Sequence, residues 1–134
     1  MNLTDRQRRS YLARIGYDGP LEPTLEILTV LCRARVRTVP FELLNGPDGV
    51  IPGIDAASVY ERVVVRHLGG ACTEVNHLFA ARLADLGFEV TTYAARTWLP
   101  RARAYTEAGD HMVLAVRTEG PRTVSTSRTP SRSP

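Results

Sequence analysis

A cysteine, a histidine and a pair of glycines form the part of this sequence best suited to covalent chemistry. In "HLGGACTEVNHLF", His67–Phe79, two glycines precede Cys72, and an acid and an amide follow it on an apolar frame. The thiolate is the reactive form of cysteine, and a free thiol has a pKa of about 8.5. A helix N-terminus lowers that value, and so does a nearby imidazolium. Cys72 is expected in the first turn of a helix, directly after Gly69 and Gly70. Glycines there let the backbone turn sharply and let a substrate come close. Backbone N–H groups of the same turn can hold an oxyanion. His111 opens an expected strand after a loop, so it can face Cys72 across the fold as its base, with a third group orienting the ring.

A plainer reading fits the same residues. A cysteine at the start of an apolar helix is more often a small core residue, and a histidine at a strand start is more often a polar terminus. His67 and His77 are further candidates. Cys72, Glu74 and His77 are weighed as metal ligands, but positions 72 and 77 point well apart on a helix. No second Cys or His cluster exists, so no metal is expected.

The elements that must position these residues can be read along the chain. Thr4 with Gln7 fits a capping box that opens a helix ending near Gly16. A second helix is expected from Thr24 to before Pro40, with Leu25, Leu28, Leu31 and Cys32 on its core face. "NGPDGVIPG", Asn45–Gly53, is a loop of turn formers. Asp55 or Ser58 starts a third helix running to about Arg66. From Cys72, the residues Val75, Leu78, Phe79, Leu83 and Leu86 fall on one helical face. Gly87 suits a left-handed cap, and Phe88 can pack back over the last turn. "FEVTTYAAR" and "HMVLAVR" read as strands, separated by a loop or an irregular strand pair. Residues 121–134 are rich in Pro, Arg, Ser and Thr and are expected to be disordered. The order implies an α+β protein: about four helices over residues 1–87, a partial β domain over 88–120, then the tail.

Bulk properties narrow the function. The chain has 134 residues, 43% of them hydrophobic and 23% charged, which suits one globular domain. No apolar run approaches the ~20 residues of a membrane span. No secretory signal is read at the N-terminus, so a cytoplasmic location is expected. All 17 basic residues are arginines, most simply a coding bias, and the net charge of +3 is too small and scattered to imply nucleic-acid binding. The densest cluster, "RARVR" at Arg33–Arg37, is expected to be a solvated face near a helix C-terminus. Two cysteines without a signal peptide do not suggest a disulfide framework.

Several segments together resemble the arylamine N-acetyltransferases, which use acetyl-CoA to acylate arylamines and hydrazines. "YLARIGYDGPLEPTLEILTVL" is similar to the family's opening. "VPFELL", Val39–Leu44, resembles its Pro-Phe-Glu-Asn-Leu motif. "LGGACTEVN", Leu68–Asn76, resembles Arg-Gly-Gly-x-Cys-x-Glu-x-Asn. "DHMVLAV" resembles the segment that carries the family's catalytic histidine. The matches run in order across residues 10 to 118.

The resemblance implies a helical bundle leading into a β-barrel, here incomplete, with a Cys–His arrangement like that of the cysteine proteinases. It makes Cys72 the acyl-accepting nucleophile and His111 its base, with Phe41 lining the acceptor pocket. Glu74 and Asn76 would hold the loop and the helix start. Acetyl-CoA would be the acetyl donor in a ping-pong reaction. Leu68, Leu43 and Arg35 depart from the pattern, standing at or near places where the family has Arg, Asn and His.

The family also carries an aspartate after its histidine, at a spacing that lands here near Thr126, and no aspartate follows Asp110. Written with the codons GTC TCG ACG TCG, Val124–Ser127 contains Leu-Asp-Val one base over, which suggests a frameshifted tail on a truncated enzyme. Without that carboxylate, weak or no turnover is expected. Two alternatives are a non-catalytic fragment acting by binding and a thiol hydrolase of the papain type. The latter shares the Cys-then-His order but needs no acetyl-CoA, and the "RIGY" and Gly-Gly-x-Cys-x-Glu-x-Asn patterns argue against it.

Overall fold

The computed structural model of the chain describes residues 2–42, 55–118 and 123–125. Leu43, Leu44, the Asn45–Gly53 loop and most of the tail lie outside these residues. Helix α1, Asp5–Arg14, opens on the expected capping box: Thr4 accepts from the Gln7 N–H while Gln7 accepts from the Thr4 N–H. Helix α2, Leu25–Thr38, is capped by the Thr24 hydroxyl and ends before Pro40. Its core face differs in part from the sequence expectation. Leu28 and Leu31 are buried and Cys32 is half-buried, but Leu25, in the first turn, is exposed.

Asp55 caps the third helix through the N–H groups of Ala57 and Ser58. This helix is not α-helical throughout. Helix α3, Ala56–Tyr60, runs into a π-helical turn at Glu61–Val65, closed by the Arg66 N–H on the Glu61 carbonyl at 2.9 Å. In that turn three consecutive residues, Arg62, Val63 and Val64, are all buried. Arg14 of α1 secures the end of the turn, its Nε donating to the Val63 carbonyl at 2.8 Å and its Nη2 to the His67 carbonyl at 3.3 Å. His67 itself is left-handed, with φ of 55°.

Helix α4, Cys72–Asp85, is the centre of the molecule. It buries Val75, Leu78, Phe79 and Leu83 against α3 and the sheet. Gly87 takes the left-handed cap, φ 91°, and Phe88 is buried behind it. The main sheet is antiparallel in the order β1–β4–β5, with β1 at Glu89–Ala95, β4 at His111–Arg117 and β5 at Thr123–Ser125. Met112, Leu114 and Val116 of β4 are buried, and the alternate residues His111, Val113 and Ala115 are half-buried. The segment between β1 and β4 is a short hairpin, β2 at Trp98–Leu99 and β3 at Ala104–Tyr105.

One sequence expectation is corrected by β5. Thr123–Ser125 fall in the stretch expected to be disordered, yet they pair with β4 in the register Ala115↔Ser125 to Arg117↔Thr123. The second edge of β4 offers a row of backbone donors and acceptors, and a Thr-Val pair has the propensity to extend along it. Among the described residues no helix is long and apolar enough to cross a membrane.

Candidate active site

Cys72 is the first residue of α4 and is half-buried, with a free thiol. Ala71 at the N-cap has no side-chain oxygen to offer. Only the returning half of a capping box forms, in which Glu74 Oε2 accepts from the Ala71 N–H at 2.7 Å. No cap side chain therefore takes up the N–H groups of the first turn. The other oxygen of Glu74 pairs with Arg62 Nη2 from the π-helical turn. Both side chains of this pair are 11% exposed, so the helix start is locked to the preceding helix by a buried ion pair. Glu74 thus takes the holding position that the resemblance implied.

The two glycines before Cys72 serve the packing of the chain. Neither is left-handed. A Cβ on Gly69 would run into the Pro40 carbonyl oxygen, and one on Gly70 would stand 2.7 Å from Glu74 Oε2. The close approach they permit is that of the chain itself. Phe41 pairs with Gly70 as a parallel bridge, and the Glu42 N–H donates to the Gly70 carbonyl at 3.0 Å. Glu42 Oε2 accepts from the Gly69 N–H at 3.2 Å. The Pro40–Glu42 segment is therefore strapped beside the loop that leads into Cys72, and Phe41 is left 58% exposed there.

His111 begins β4, half-buried, opposite Ala95 of β1. What relates it to Cys72 is Asn76. Asn76 lies four residues along α4 from Cys72, on the same face and about 6 Å up the axis. It is 3% exposed, and its Nδ2 donates to the carbonyl of Met112 at 2.7 Å. Met112 is the neighbour of His111. One buried hydrogen bond thus pins the start of β4 against the first turns of α4. Among the described residues neither the Cys72 thiol nor the His111 ring makes a hydrogen bond of its own. Such contacts are often long before substrate binds.

Asp110, just before His111, is engaged elsewhere. Its Oδ1 accepts from the Thr106 hydroxyl at 2.8 Å and from the Thr97 N–H at 3.0 Å, knotting the base of the β2–β3 hairpin. The Thr106 hydrogen bond is the leading reason its pKa lies below the usual carboxylate value.

The remaining candidates sit apart from this centre. His67 and His77 are exposed, and His67 is involved through its carbonyl. Among the described residues no three His, Cys, Asp or Glu side chains gather to hold a metal.

Sequence reasoning underrated the arginines. Arg33 and Arg37 are exposed, as expected for a solvated cluster. Arg35 between them turns inward, donating to Asn76 Oδ1 at 2.7 Å with its guanidinium 5.2 Å from the Phe79 ring centroid. Arg62 and Arg82 are buried as well. The one available signal was position: Arg62 adjoins the apolar run at Val63, and Arg82 follows the apolar face of α4.

This α+β arrangement matches a known class. The N-acetyltransferase family model covers residues 24–123, and the chain belongs to the arylamine N-acetyltransferase family. It is similar to the pineal gland isozyme of arylamine N-acetyltransferase from Gallus gallus, with 38% identity over 109 residues, covering 81% of this chain and 38% of that one. The arylamine N-acetyltransferase of Mycobacterium tuberculosis is 35% identical over 113 residues, 83% of this chain and 40% of the relative. The solved structure of an M. tuberculosis arylamine N-acetyltransferase superposes with a TM-score of 0.75 at 33% identity, over 88% of this chain and 46% of that one. The enzyme from Mycobacterium marinum, solved in complex with CoA, gives a TM-score of 0.70 at 35% identity, over 88% and 45%. The chain thus spans less than half the length of these relatives.

Proposed function

We propose that this chain carries the nucleophile half of an arylamine N-acetyltransferase, acting in the cytoplasm on acetyl-CoA and an arylamine or hydrazine. Cys72 is the nucleophile and His111 its proton partner. Phe41, held at the mouth of the cysteine loop, lines the side from which the acceptor ring enters. The Cys72 thiolate attacks the thioester carbonyl of acetyl-CoA. The carbon–sulfur bond to CoA breaks, and CoA departs as the thiol with a proton from His111. The amine then attacks acetyl-Cys72, gives a proton to His111 and regenerates the thiolate. First-turn N–H groups of α4 are suited to the oxyanion of both tetrahedral intermediates. No metal enters this sequence, and with no aspartate after Asp110 to orient the His111 ring, turnover should be weak.

The observation that carries the reading is the Asn76–Met112 bond, which ties the strand begun by His111 to the helix begun by Cys72. The CoA complex of the M. marinum relative supports acetyl-CoA as the donor. The test is incubation with acetyl-CoA, with and without a simple hydrazine, followed by intact-protein mass and release of free CoA. One acetyl group should appear on Cys72, vanish on adding the hydrazine, and be absent from Cys72→Ser. Equal acetylation of the wild type and Cys72→Ser sinks the assignment.

A further inference from the structure

Arg35 stands on α2, outside the cysteine loop and the strand that carries His111, yet it touches the residue that joins them. Its Nη2 donates to Asn76 Oδ1 at 2.7 Å, and Asn76 Nδ2 donates to the Met112 carbonyl at 2.7 Å. The two contacts are chemically one-way. A guanidinium can only donate and a backbone carbonyl can only accept. A side-chain amide placed between them satisfies both in a single orientation. Turned over, it would set its NH2 against the cation and its oxygen against the carbonyl oxygen.

The placement of the cation is costly on its own terms. Among the described residues no carboxylate forms an ion pair with Arg35. Burial pulls the guanidinium pKa down, partly offset by Tyr11 and Cys32. A partly buried charge without a counter-ion is not a stabilising design in itself. The Phe79 ring beneath it at 5.2 Å recovers only part of the lost hydration. What the arrangement does provide is a fixed direction for the Asn76 amide.

We propose that Arg35 is a positioning residue. By holding the Asn76 amide in one orientation, it keeps the start of β4, and with it His111, seated against the first turns of α4 that carry Cys72. Arg35 acts wholly through Asn76 and touches no reacting group. The role rests on the acyl-transfer reading given above.

The test labels Cys72 of the full chain with iodoacetamide across pH, in a Cys32→Ala background so that one thiol reports. Cys72 in a seated site labels faster at neutral pH than a free cysteine. Arg35→Met removes the donor and should slow labelling at neutral pH about tenfold, the lower end of the loss seen when an orienting outer partner is removed.

Asn76→Asp supplies the second variant. It keeps a partner for the Arg35 cation, so it should fold, but it has no donor for the Met112 carbonyl. It should match Arg35→Met in rate, because both variants take away the oriented amide donor that holds the Met112 carbonyl. Arg35→Lys, still a donor, should restore labelling to within about threefold, less than the tenfold span of one pKa unit.

A fast wild type with equally fast Arg35→Met or Asn76→Asp overturns the positioning role alone. A wild type no faster than free cysteine overturns the acyl-transfer reading and the positioning role together.

Discussion

Glu74 and Arg62 form a nearly dry ion pair in which the carboxylate also caps the helix that begins at Cys72. Oε1 meets the guanidinium, and Oε2 accepts from the Ala71 N–H at 2.7 Å. The pair joins the π-helical turn to the start of α4, so it sets where the thiol-bearing turn lies relative to the helix before it. Burying two charges is expensive, and an intact pair adds little net stability compared with an apolar replacement. Breaking one is another matter. Glu74→Gln keeps an acceptor for Ala71 but leaves the Arg62 cation buried without its counter-charge. A loss of about 3 kcal/mol is expected, read as a fall in the urea midpoint at unchanged slope. The double variant Arg62→Met, Glu74→Gln should recover much of it.

The described glycines divide into two physical kinds, and substitution separates them. Gly69 has ordinary backbone angles but no room, because its missing Cβ would meet the Pro40 carbonyl oxygen. Gly87 has room, its nearest neighbour being Pro23 Cγ at 3.7 Å, but a φ of +91°. Gly69→Ala should force the Pro40–Glu42 strap off the cysteine loop and cost at least about 2 kcal/mol, as overpacking does. Gly87→Ala should cost about 1 kcal/mol through backbone strain alone, with no change at the loop. Thermal melts give the costs. Protease cleavage near Phe41 reports the strap: accelerated in Gly69→Ala, unchanged in Gly87→Ala. Similar cleavage in both would contradict the distinction.

Much of this frame was legible in the sequence, because its signals are local. The capping box at Thr4 and Gln7, the stop at Pro40, the Asp55 cap and the αL glycine at Gly87 are each decided by a few neighbouring residues. The apolar period from Val75 to Leu83 identified the face of α4 that is buried. What could not be read depends on partners distant in the chain. Arg35 and Asn76 are 41 positions apart, and nothing in "RARVR" distinguishes the inward arginine from its two exposed neighbours. The use of Gly69 depends on Pro40 coming to lie beside it. The π-helical turn widens a run that reads as an ordinary helix. β5 depends on an open strand edge, not on any apolar pattern of its own. For the site, the sequence named Cys72 and His111, and the resemblance added Phe41, but neither showed the Arg35–Asn76–Met112 chain that relates the elements of Cys72 and His111.

Alkali should unfold the protein through Tyr11. Its phenol lies in the core, 1% exposed, and burial pushes its pKa well above the ordinary value of about 10, with the Arg35 cation only partly opposing. A raised pKa means that the folded state keeps a proton the unfolded chain would release. The stability this provides is complete below about pH 10, the unfolded value, and is lost as pH climbs above it toward the folded value. Tyr11→Phe removes the titrating group and leaves the ring in place. Urea midpoints from neutral pH into alkali should fall less steeply in the variant than in the wild type. Parallel curves would show that the alkaline loss has another source.

The two thiols should behave as different chemical species. Cys32 packs against the core on α2, and burial raises its pKa, with Arg35 only partly countering. Less of it is thiolate at neutral pH than of an ordinary cysteine, so it should label slowly with iodoacetamide until pH passes well above about 8.5. Cys72 begins a helix whose first-turn N–H groups have no side-chain cap, a setting that favours the thiolate. Peptide mapping after brief labelling at neutral pH should find the label on Cys72, with Cys32 modified at least tenfold more slowly. Raising the pH should narrow that gap, because burial holds back the Cys32 thiolate until the solution is alkaline. Preferential labelling of Cys32 at neutral pH would remove the thiolate argument from Cys72 and leave it as a small residue filling the start of a helix.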